Sequence, residues 1–337
     1  MIFILSRDGD SHVRRVVTEL DRLGHPWYRF DPFDILDQMQ VTIFPGELQR
    51  SSLRFPNGTT LYLDEITSVW NRRPSPIEVP KERTDLLALE KTFIEREGKA
   101  GVWGTLRALP AFWVNHPDAV SASSYKIRQL EVASALQFSV PHSIVTNVPE
   151  RLRSFYKEHQ GRIIYKLMGY PAYEDGAGIP LSTHTSLVPP ELIEQAERVS
   201  TTTHFFQEYI DKQYDIRVVI MGEQVFATEI HAHSEETHID FRIDYSHLTY
   251  RVHQLPAEIE QQLLALNAFY GLHFSAIDLV RDHEGKYYFL ELNPSGQFAW
   301  LEEPTGIPLH THLAQLLIQE KKEQYAAYET ANIHSAS

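Results

Sequence analysis

The chain opens with a pattern typical of a strand, a helix and a second strand. The apolar run at residues 2–6 predicts the first strand, and residues 27–30 predict the second. Between them, apolar residues recur at helical spacing, with Ser11 as the predicted cap and Gly24 as the stop. The recurring positions are Val13, Val16, Val17, Leu20 and Leu23. This β-α-β order predicts an α/β sheet.

The rest of the first third continues this pattern. Asn57 and Gly58 lie between two extended runs, which is a hairpin signal. Residues 84–109 are predicted to be mostly helical, and residues 112–115 form a short strand. We place a domain boundary here, so that residues 1–115 form an N-terminal α/β domain.

The remaining chain contains further strands and helices. A helix is predicted to begin after Ser123 or Ser124, and a polar loop containing Gly and Pro spans residues 169–186. We expect two units, at residues 116–200 and 201–322, and a polar tail at 323–337. The predicted strands are 141–145, 163–168, 204–210, 215–221 and 224–231, the predicted hairpin is 273–293, and the predicted helices are 148–159, 257–270 and 308–319.

The hairpin near the end carries the sharpest chemical signal. If its turn is symmetric about residues 284 and 285, Asp278 lies opposite Glu291 and Ala276 opposite Asn293. The same register pairs the apolar residues of the other face, Leu279 with Leu290 and Ile277 with Leu292.

One face of this hairpin therefore holds two carboxylates and an amide. Two carboxylates directly opposite each other repel by about 0.2–1 kcal/mol, so a cation is expected between them. All-oxygen ligands favour Mg²⁺ over zinc, and Mg²⁺ sites usually include substrate phosphates. The alternative is an exposed polar face of an edge hairpin.

Several cationic side chains could complement such a site. Lys166 lies inside an apolar strand, where a charge requires an anionic partner. Lys126 begins an amphipathic helix, Arg217 shares a strand face with Asp215, and Arg242 follows in Asp-Phe-Arg. Each alone could equally be an exposed charge or an ion pair.

Two further features concern nucleotide and metal binding. Residues Glu208, Tyr209 and Ile210 end a strand, and their backbone could bind an adenine edge. Alternation places His231 and His233 on one strand face as a possible transition-metal pair, for which the sequence gives little other support.

Composition narrows the function classes. The 337 residues carry 31 Lys and Arg against 45 Asp and Glu, a net charge of −14, and no cysteine. Neutralising phosphates requires a basic surface, so nucleic-acid binding is disfavoured, and disulfides and a thiolate nucleophile are excluded. No apolar run reaches the ~20 residues of a membrane span, and the first run is too short for a signal sequence. We expect a cytoplasmic protein that binds neither nucleic acid nor membrane.

Taken in order, these motifs resemble the ATP-grasp superfamily over about residues 116–320. The resemblance implies ATP binding by Lys126, Lys166, the hinge at Glu208, Tyr209 and Ile210, and Asp215 of an Asp-x-Arg motif. It also implies Mg²⁺ ligands at Asp278, Glu291 and Asn293. Arg217 and Arg242 are the implied catalytic residues, which steady the γ-phosphate and the acylphosphate.

A narrower resemblance extends over nearly the whole chain. Residues 70–74 (Trp-Asn-Arg-Arg-Pro), Asp240 to Arg242 and residues 291–300 resemble the microviridin-type ligases, also called graspetide synthetases. The resemblance implies an ADP-forming enzyme that joins Asp or Glu side chains of a ribosomal precursor peptide to Ser/Thr hydroxyls or Lys amines. It also implies a leader segment as partner, and we expect a homodimer.

The sequence leaves several alternatives open. An ATP-grasp ligase acting on free amino acids or on a protein C-terminus, and a small-molecule kinase of the same fold, would need the same charges. The linkage, ester or amide, is undetermined, as are the leader-docking residues. The loop 169–186 is the predicted lid, and it contains only Gly176-Ala-Gly178 where the superfamily has a denser glycine run.

Overall fold

The computed structural model describes residues 1–169, 173–174, 180–181 and 184–319. The predicted lid at 169–186 lies mostly outside the described residues, and the predicted tail at 323–337 lies entirely outside them. The helices are α1 (Ser11–Arg22), α2 (Ile35–Gln38), α3 (Ala88–Arg107), α4 (Pro117–Ala122), α5 (Lys126–Ala135), α6 (Pro149–Glu158), α7 (Pro190–Glu194), α8 (Glu235–Ile239), α9 (Ala257–Tyr270), α10 (Glu302–Thr305) and α11 (Leu309–Ile318).

The strands form separate sheets, described below. Their bounds are β1 (Ile2–Leu5), β2 (Trp27–Phe30), β3 (Gln40–Thr42), β4 (Ser52–Arg54), β5 (Thr60–Tyr62), β6 (Ser68–Asn71), β7 (Phe112–Val114), β8 (Ser143–Thr146), β9 (Ile163–Lys166), β10 (Tyr173–Glu174), β11 (Pro180–Leu181), β12 (Ser186–Leu187), β13 (His204–Glu208), β14 (Lys212–Met221), β15 (Gln224–Ala232), β16 (Leu248–His253), β17 (Phe274–Asp282) and β18 (Tyr287–Asn293).

A parallel sheet in the order β2-β1-β6-β7 forms the N-terminal region, so the predicted α/β class is confirmed. Apolar side chains alternate between its two faces. Ile4 packs with α1 and α11, whereas Leu5 packs with the small sheet β3-β4-β5 and the last part of α3. The predicted Asn-Gly turn joins β4 to β5, where Gly58 has φ +85°, a value that favours glycine.

Two antiparallel sheets follow. The central one has the order β12-β9-β13-β8, and α6 packs against it through Leu152 and Phe155. The larger one has the order β16-β15-β14-β17-β18. One face of this larger sheet is covered by α5 and α9, whose Leu130, Leu263 and Leu266 are buried there. Its other face carries the polar side chains predicted to form the site.

A buried polar cluster joins the N-terminal region to the larger sheet. We call Asp10, His12, Arg72 and Asn115 the N-terminal cluster. Arg72 Nη1 donates to the carbonyl oxygen of Ser295 at 2.7 Å, 223 residues away in the chain. The apolar core is also shared, because α11 packs on α1 while its Leu313 lies in one cluster with Val219 of β14.

Two predicted helix caps are wrong by one or two residues. The cap of α1 is Asp10, whose Oδ1 accepts from the backbone N–H groups of His12 and Val13. The cap of α5 is Tyr125, because the hydroxyls of Ser123 and Ser124 both donate to the Val120 carbonyl and so complete the preceding helix α4.

Candidate active site

The hairpin β17–β18 positions the predicted metal ligands. Its observed register pairs Asp278 with Glu291, Ala276 with Asn293 and Ile277 with Leu292, as predicted. The predicted pairing of Leu279 with Leu290 is wrong, because Leu279 lies opposite Phe289 and Leu290 is an unpaired bulge residue.

The turn explains why one half of the register differs. The backbone N–H of Asp282 donates to the carbonyl oxygen of Lys286, so the loop is shorter by one residue than a turn centred between 284 and 285. Gly285 adopts φ +91° in this loop, which glycine allows at low cost. The bulge at Leu290 then adds one residue, which returns Glu291 to the face of Asp278.

A single cavity between the central and the larger sheet contains nearly all predicted site residues. Its walls come from β9, the end of β13, β14, the segment around Arg242, and β17–β18. Every predicted site residue except Arg217 lines it, namely Lys126, Lys166, Glu208, Tyr209, Ile210, Asp215, Arg242, Asp278, Glu291 and Asn293.

The two carboxylates of the hairpin have different electrostatic surroundings. Burial raises the pKa of Asp278 to about 6, although Arg217 opposes the shift. Burial would also raise the pKa of Glu291, but Lys126 and Arg242 outweigh it and lower that pKa to about 2. Lys126 Nζ lies 2.8 Å from Glu291 Oε2, and Arg242 Nη1 lies 3.7 Å from Oε1. Glu291 is therefore the more strongly compensated of the pair.

Arg217 lies beside Asp278 and does not itself line the cavity. Its Nη1 is 3.0 Å from Asp278 Oδ1, and its guanidinium lies over the ring of Trp300 at 5.8 Å from the centroid. Arg217 and Asp278 face each other on β14 and β17 because their Cα positions are register partners. In this arrangement Arg217 acts on the cavity through Asp278.

The two predicted phosphate-binding lysines differ in environment. Lys126 begins α5 and forms the ion pair with Glu291. Lys166 ends β9, and its Nζ donates to Gln207 Oε1 at 2.9 Å, a neutral partner. Burial lowers the pKa of Lys166 to about 8, against the attraction of Glu291. An anion in the cavity would therefore raise this pKa again and favour the charged form of Lys166.

A family profile described as the RimK-like ATP-grasp domain matches residues 188–317, which include β13 to β18. The protein has the ATP-grasp fold. The ATP-grasp cavity lies between its central and larger sheets.

Three solved structures resemble nearly the whole chain. The ligase from Chryseobacterium gregarium, described as RiPP-associated and in complex with ADP and a leader and core peptide, has a TM-score of 0.84 and 26% identity, covering 94% of this chain and 96% of its own. Macrocyclase MdnC from Microcystis aeruginosa MRC, bound with precursor peptide MdnA, has a TM-score of 0.81 and 26% identity. The match covers 94% of this chain and 98% of MdnC. Macrocyclase MdnB from the same source has a TM-score of 0.75 and 27% identity, and the match covers 94% of this chain and 99% of MdnB.

These similarities confirm the resemblance to the ATP-grasp superfamily and to the microviridin-type ligases. A search of curated protein sequences found no match. Among the residues that the structure describes, no helix is long and apolar enough to cross a bilayer.

The ATP-grasp cavity contains buried polar residues that sequence reasoning missed. Lys212 and Asp215 form an ion pair at 2.8 Å. Burial raises the pKa of Asp215 against the attraction of Lys212. Gln129 on α5 bonds both main-chain groups of Leu292, at 2.8 and 2.9 Å, and so fixes α5 against β18. Its position one turn after Lys126 in an amphipathic helix was the available signal.

Asp240 orients the predicted catalytic Arg242. The guanidinium donates two hydrogen bonds to the carboxylate, at 2.8 and 2.7 Å, and Asp240 also accepts from the backbone N–H of Thr185 at 2.9 Å. Burial opposes ionisation, but Arg242 holds the pKa of Asp240 well below its usual range. The sequence shows the Asp-Phe-Arg spacing, but it does not show that the two charges bind each other.

The predicted adenine hinge lies where β13 ends. Glu208, Tyr209 and Ile210 line the cavity beside the lysines. The carboxylate of Glu208 is turned towards His142, whose backbone N–H donates to it at 2.7 Å. Hinge contacts to an adenine would therefore come from the main chain of this segment.

The oxygen set of the hairpin fits a divalent cation. Asp278 Oδ1 is buried and makes no hydrogen bond of good geometry, although Arg217 is close. Asn293 Oδ1 accepts from the backbone N–H of Ser295 at 3.0 Å, which fixes the amide oxygen. Two carboxylates and an amide are the hard ligands that Mg²⁺ uses beside phosphate oxygens. Asp278, Glu291 and Asn293 are therefore suited to Mg²⁺.

Proposed function

We propose that the protein is an ATP-dependent, ADP-forming ligase that macrocyclises a ribosomal precursor peptide. It activates Asp or Glu side chains as acylphosphates and joins them to Ser/Thr hydroxyls as esters or to Lys amines as amides. One observation carries the proposal: a single cavity combines the oxygen set of Asp278, Glu291 and Asn293 with Lys126, Lys166 and Arg242. The whole-chain similarity to RiPP macrocyclases supports the choice of substrate class.

The first step transfers the γ-phosphoryl group. A carboxylate oxygen of the peptide forms a bond to the γ-phosphorus, the bond to the β–γ bridging oxygen breaks, and ADP leaves with that electron pair. Two anions meet in this step, so catalysis consists mainly of positioning and charge neutralisation. Asp278, Glu291 and Asn293 would hold Mg²⁺, which would supply neutralisation of the phosphate charge.

We assign the cations by their place in the cavity. Lys126 and Lys166 bind the α- and β-phosphates, with Glu208, Tyr209, Ile210 and Asp215 around the nucleoside. Arg242, oriented by Asp240, steadies the γ-phosphate and then the acylphosphate oxygens. Arg217 supports this site through its ion pair with Asp278.

The second step forms the cross-link. The hydroxyl or amine attacks the acyl carbon, the bond to the phosphate oxygen breaks, phosphate leaves, and the nucleophile loses one proton. Water must be excluded because it would hydrolyse the acylphosphate.

The partner is a precursor peptide with a leader and a core. We propose that the leader docks partly on the N-terminal domain, residues 1–115, and that residues 116–200 and 201–322 form the two ATP-grasp subdomains. The enzyme acts in the cytoplasm, where ATP and newly made peptide are available, without nucleic-acid or membrane partners.

The decisive experiment is co-expression with a short open reading frame from the same operon, followed by mass spectrometry. Each cross-link should remove the mass of one water and consume one Asp or Glu side chain. Mild base opens an ester and leaves an amide. ADP and phosphate should appear in equal amounts, and stoichiometric AMP would contradict the acylphosphate route.

The same experiment separates the alternatives. A kinase of this fold would add phosphate to its acceptor, and a ligase that uses free amino acids would add to the peptide the mass of each amino acid less one water. Unchanged precursor, under conditions where the enzyme hydrolyses ATP with a small-molecule acceptor, would refute the peptide assignment.

We also propose a homodimer. The first turns of α3 expose large apolar side chains to solvent, with Leu89 80% and Phe93 66% exposed. Light scattering after size-exclusion chromatography should give twice the monomer mass of 38.9 kDa. Phe93→Glu should lower that mass to the monomer value if α3 lies in the interface.

A further inference from the structure

A cluster of metal-binding side chain types lies on the opposite side of the cavity wall. His142 immediately precedes β8, Glu158 is the last residue of α6, and His159 follows it. His142 Nδ1 lies 2.8 Å from His159 Nε2 and 3.7 Å from Glu158 Oε1. Within the described part of the chain, this is the one group of three His, Asp or Glu residues whose ligand atoms all lie within 4.8 Å of one another.

The donor types differ from those of the Mg²⁺ site. Two imidazole nitrogens and one carboxylate oxygen are a ligand set for Zn²⁺ and related transition metals, whereas Mg²⁺ prefers oxygen alone. In a tetrahedral zinc site the ligand nitrogens lie about 3.3 Å apart. The present distance between the two imidazoles corresponds to a hydrogen bond, so a cation would replace one shared hydrogen and open the pair slightly.

Neighbouring side chains hold both imidazoles in place. The rings of His142 and His159 pack against Phe155, at centroid distances of 5.2 and 4.5 Å. Glu208 Oε2 lies 3.7 Å from His159 Nδ1, the nitrogen left for a proton when Nε2 binds a metal. A carboxylate behind a metal-bound histidine fixes its tautomer and raises its basicity.

The histidine pair expected from the sequence does not converge in this way. His231 and His253 bond the two different oxygens of Glu229, each at 2.7 Å, and His233 bonds Thr249 at 2.9 Å. These contacts separate the imidazoles, so the larger sheet offers no comparable set.

We propose that His142, Glu158 and His159 form a binding site for one transition-metal cation of the Zn²⁺ type, with water completing the coordination. The cation would join the end of α6 to the beginning of β8. It would also fix Glu208 at the edge of the cavity, because that carboxylate accepts from the backbone N–H of His142 and faces His159. The site does not depend on the proposed ligase activity.

The test is Zn²⁺ titration of the full chain, purified without a polyhistidine tag, in the presence of excess Mg²⁺. We expect one saturable Zn²⁺ per chain with micromolar or tighter affinity, and a rise in thermal stability. His142→Gln and His159→Gln should each weaken binding at least about tenfold. His233→Gln removes an imidazole elsewhere and should leave binding unchanged.

A second measurement distinguishes this site from scattered surface histidines. Bound Co²⁺ should give the visible absorption of tetrahedral coordination, and the band should disappear in His159→Gln and remain in His233→Gln. All three substitutions lie at sites with solvent access, and circular dichroism should confirm that each variant folds. Absence of saturable Zn²⁺ binding, or equal binding by His142→Gln, His159→Gln and the unmodified chain, would overturn the proposal.

Discussion

Two buried polar clusters lie side by side along β17 and β18, and they differ in what their charges contact. Around the cavity, Lys126 pairs with Glu291, and Arg217, which does not line the cavity, pairs with Asp278, so side chains bind side chains. In the N-terminal cluster, Arg72 pairs with Asp10 as well, but both Arg72 and Asn115 also bind main-chain groups.

The N-terminal cluster forms hydrogen bonds with main-chain N–H and carbonyl groups next to the site. Asn115 Nδ2 donates to the carbonyls of Phe274 and Pro294, and its Oδ1 accepts from the N–H groups of His273 and Phe274, at 2.8 to 3.0 Å. His12 Nε2 accepts from the two N–H groups of Phe298 and Ala299, both at 3.1 Å. These residues hold the segments that flank the hairpin.

The difference indicates which buried charges can respond to a ligand. An ion pair between side chains can exchange one partner for a phosphate or a cation without moving the backbone. A guanidinium or amide bound to carbonyls cannot exchange its partners unless the chain itself shifts. Burial alone does not separate the two clusters, since Arg72 and Arg217 are both buried. The two clusters differ instead in whether their charges bind only side chains or also main-chain groups.

The largest expected effect is on turnover. Glu291→Gln removes one proposed ligand and one charge opposite Asp278, and should lower the rate by about 10²–10³-fold or more. The unfolding free energy should change by less than about 1 kcal/mol, because the lost ion pair with Lys126 is offset by relief of the repulsion from Asp278. Single-turnover kinetics and urea denaturation measure the two quantities. Normal activity with ordinary Mg²⁺ dependence would show that this hairpin is not the metal site.

Arg72→Met should mainly lower the unfolding free energy, whereas Glu291→Gln should mainly lower turnover. The loss of Arg72 leaves Asp10 buried without its guanidinium and frees the Ser295 and Gly296 carbonyls, at a cost of about 3–5 kcal/mol in unfolding free energy. Arg73→Met is the matched control, since Arg73 donates to the same Ser295 carbonyl at 3.2 Å but is only half-buried. The control should lose less than half as much stability. Equal losses would remove the contrast between the clusters.

Gly296→Ala tests how tightly the loop after Asn293 is packed. A Cβ at position 296 would overlap the Cβ of Ala276 on β17, so one of the two must shift. We expect a loss of about 1–3 kcal/mol in stability, together with weaker Mg²⁺-nucleotide binding. The double variant Gly296→Ala/Ala276→Gly removes the overlap and should recover most of both. A double variant no better than Gly296→Ala would contradict this explanation.

The smallest effect concerns pH and the N-terminal cluster. His12 Nε2 accepts two N–H groups, and its Nδ1 lies 3.1 Å from Arg72 Nη2 and 3.5 Å from Asp10 Oδ1. Burial lowers the pKa of His12, and Arg72 and Arg73 add to this against the attraction of Asp10. His310 also faces the ring, at a centroid distance of 5.9 Å.

The sign of the effect follows from these shifts. Below about pH 6.5 the unfolded chain gains a proton on His12 that the native ring resists, so this contribution to stability falls as the pH falls. Urea denaturation at about pH 7.5 and about pH 5.5 should show a smaller pH-dependent loss in His12→Gln than in the unmodified chain. His310 is present in both, so its own titration cancels. An identical loss in both chains would exclude His12 as the source.

The sequence predicted the cavity better than the N-terminal cluster, for a physical reason. A charge inside an apolar strand, such as Lys166, or two facing carboxylates, such as Asp278 and Glu291, conflict with their local surroundings and so indicate a ligand. The contacts of Arg72 join positions 223 residues apart and leave no periodic trace. The bulge at Leu290 was missed because it depends on loop length and sheet twist, which the apolar pattern does not record. The position of Arg217, between Asp278 and the ring of Trp300, also depends on contacts between distant parts of the chain.

The bulge at Leu290 also affects how homologous chains should be aligned. It divides the β17–β18 ladder into two blocks, and the block near the tip is offset by one position from the block that carries Asp278 and Glu291. In a chain that lacks the bulge, the tip register would continue and the residue opposite position 278 would fall at position 290. A gap-free alignment with such a chain would therefore transfer the ligand assignment to Leu290 instead of Glu291. In an alignment with such a chain the gap therefore belongs at Leu290.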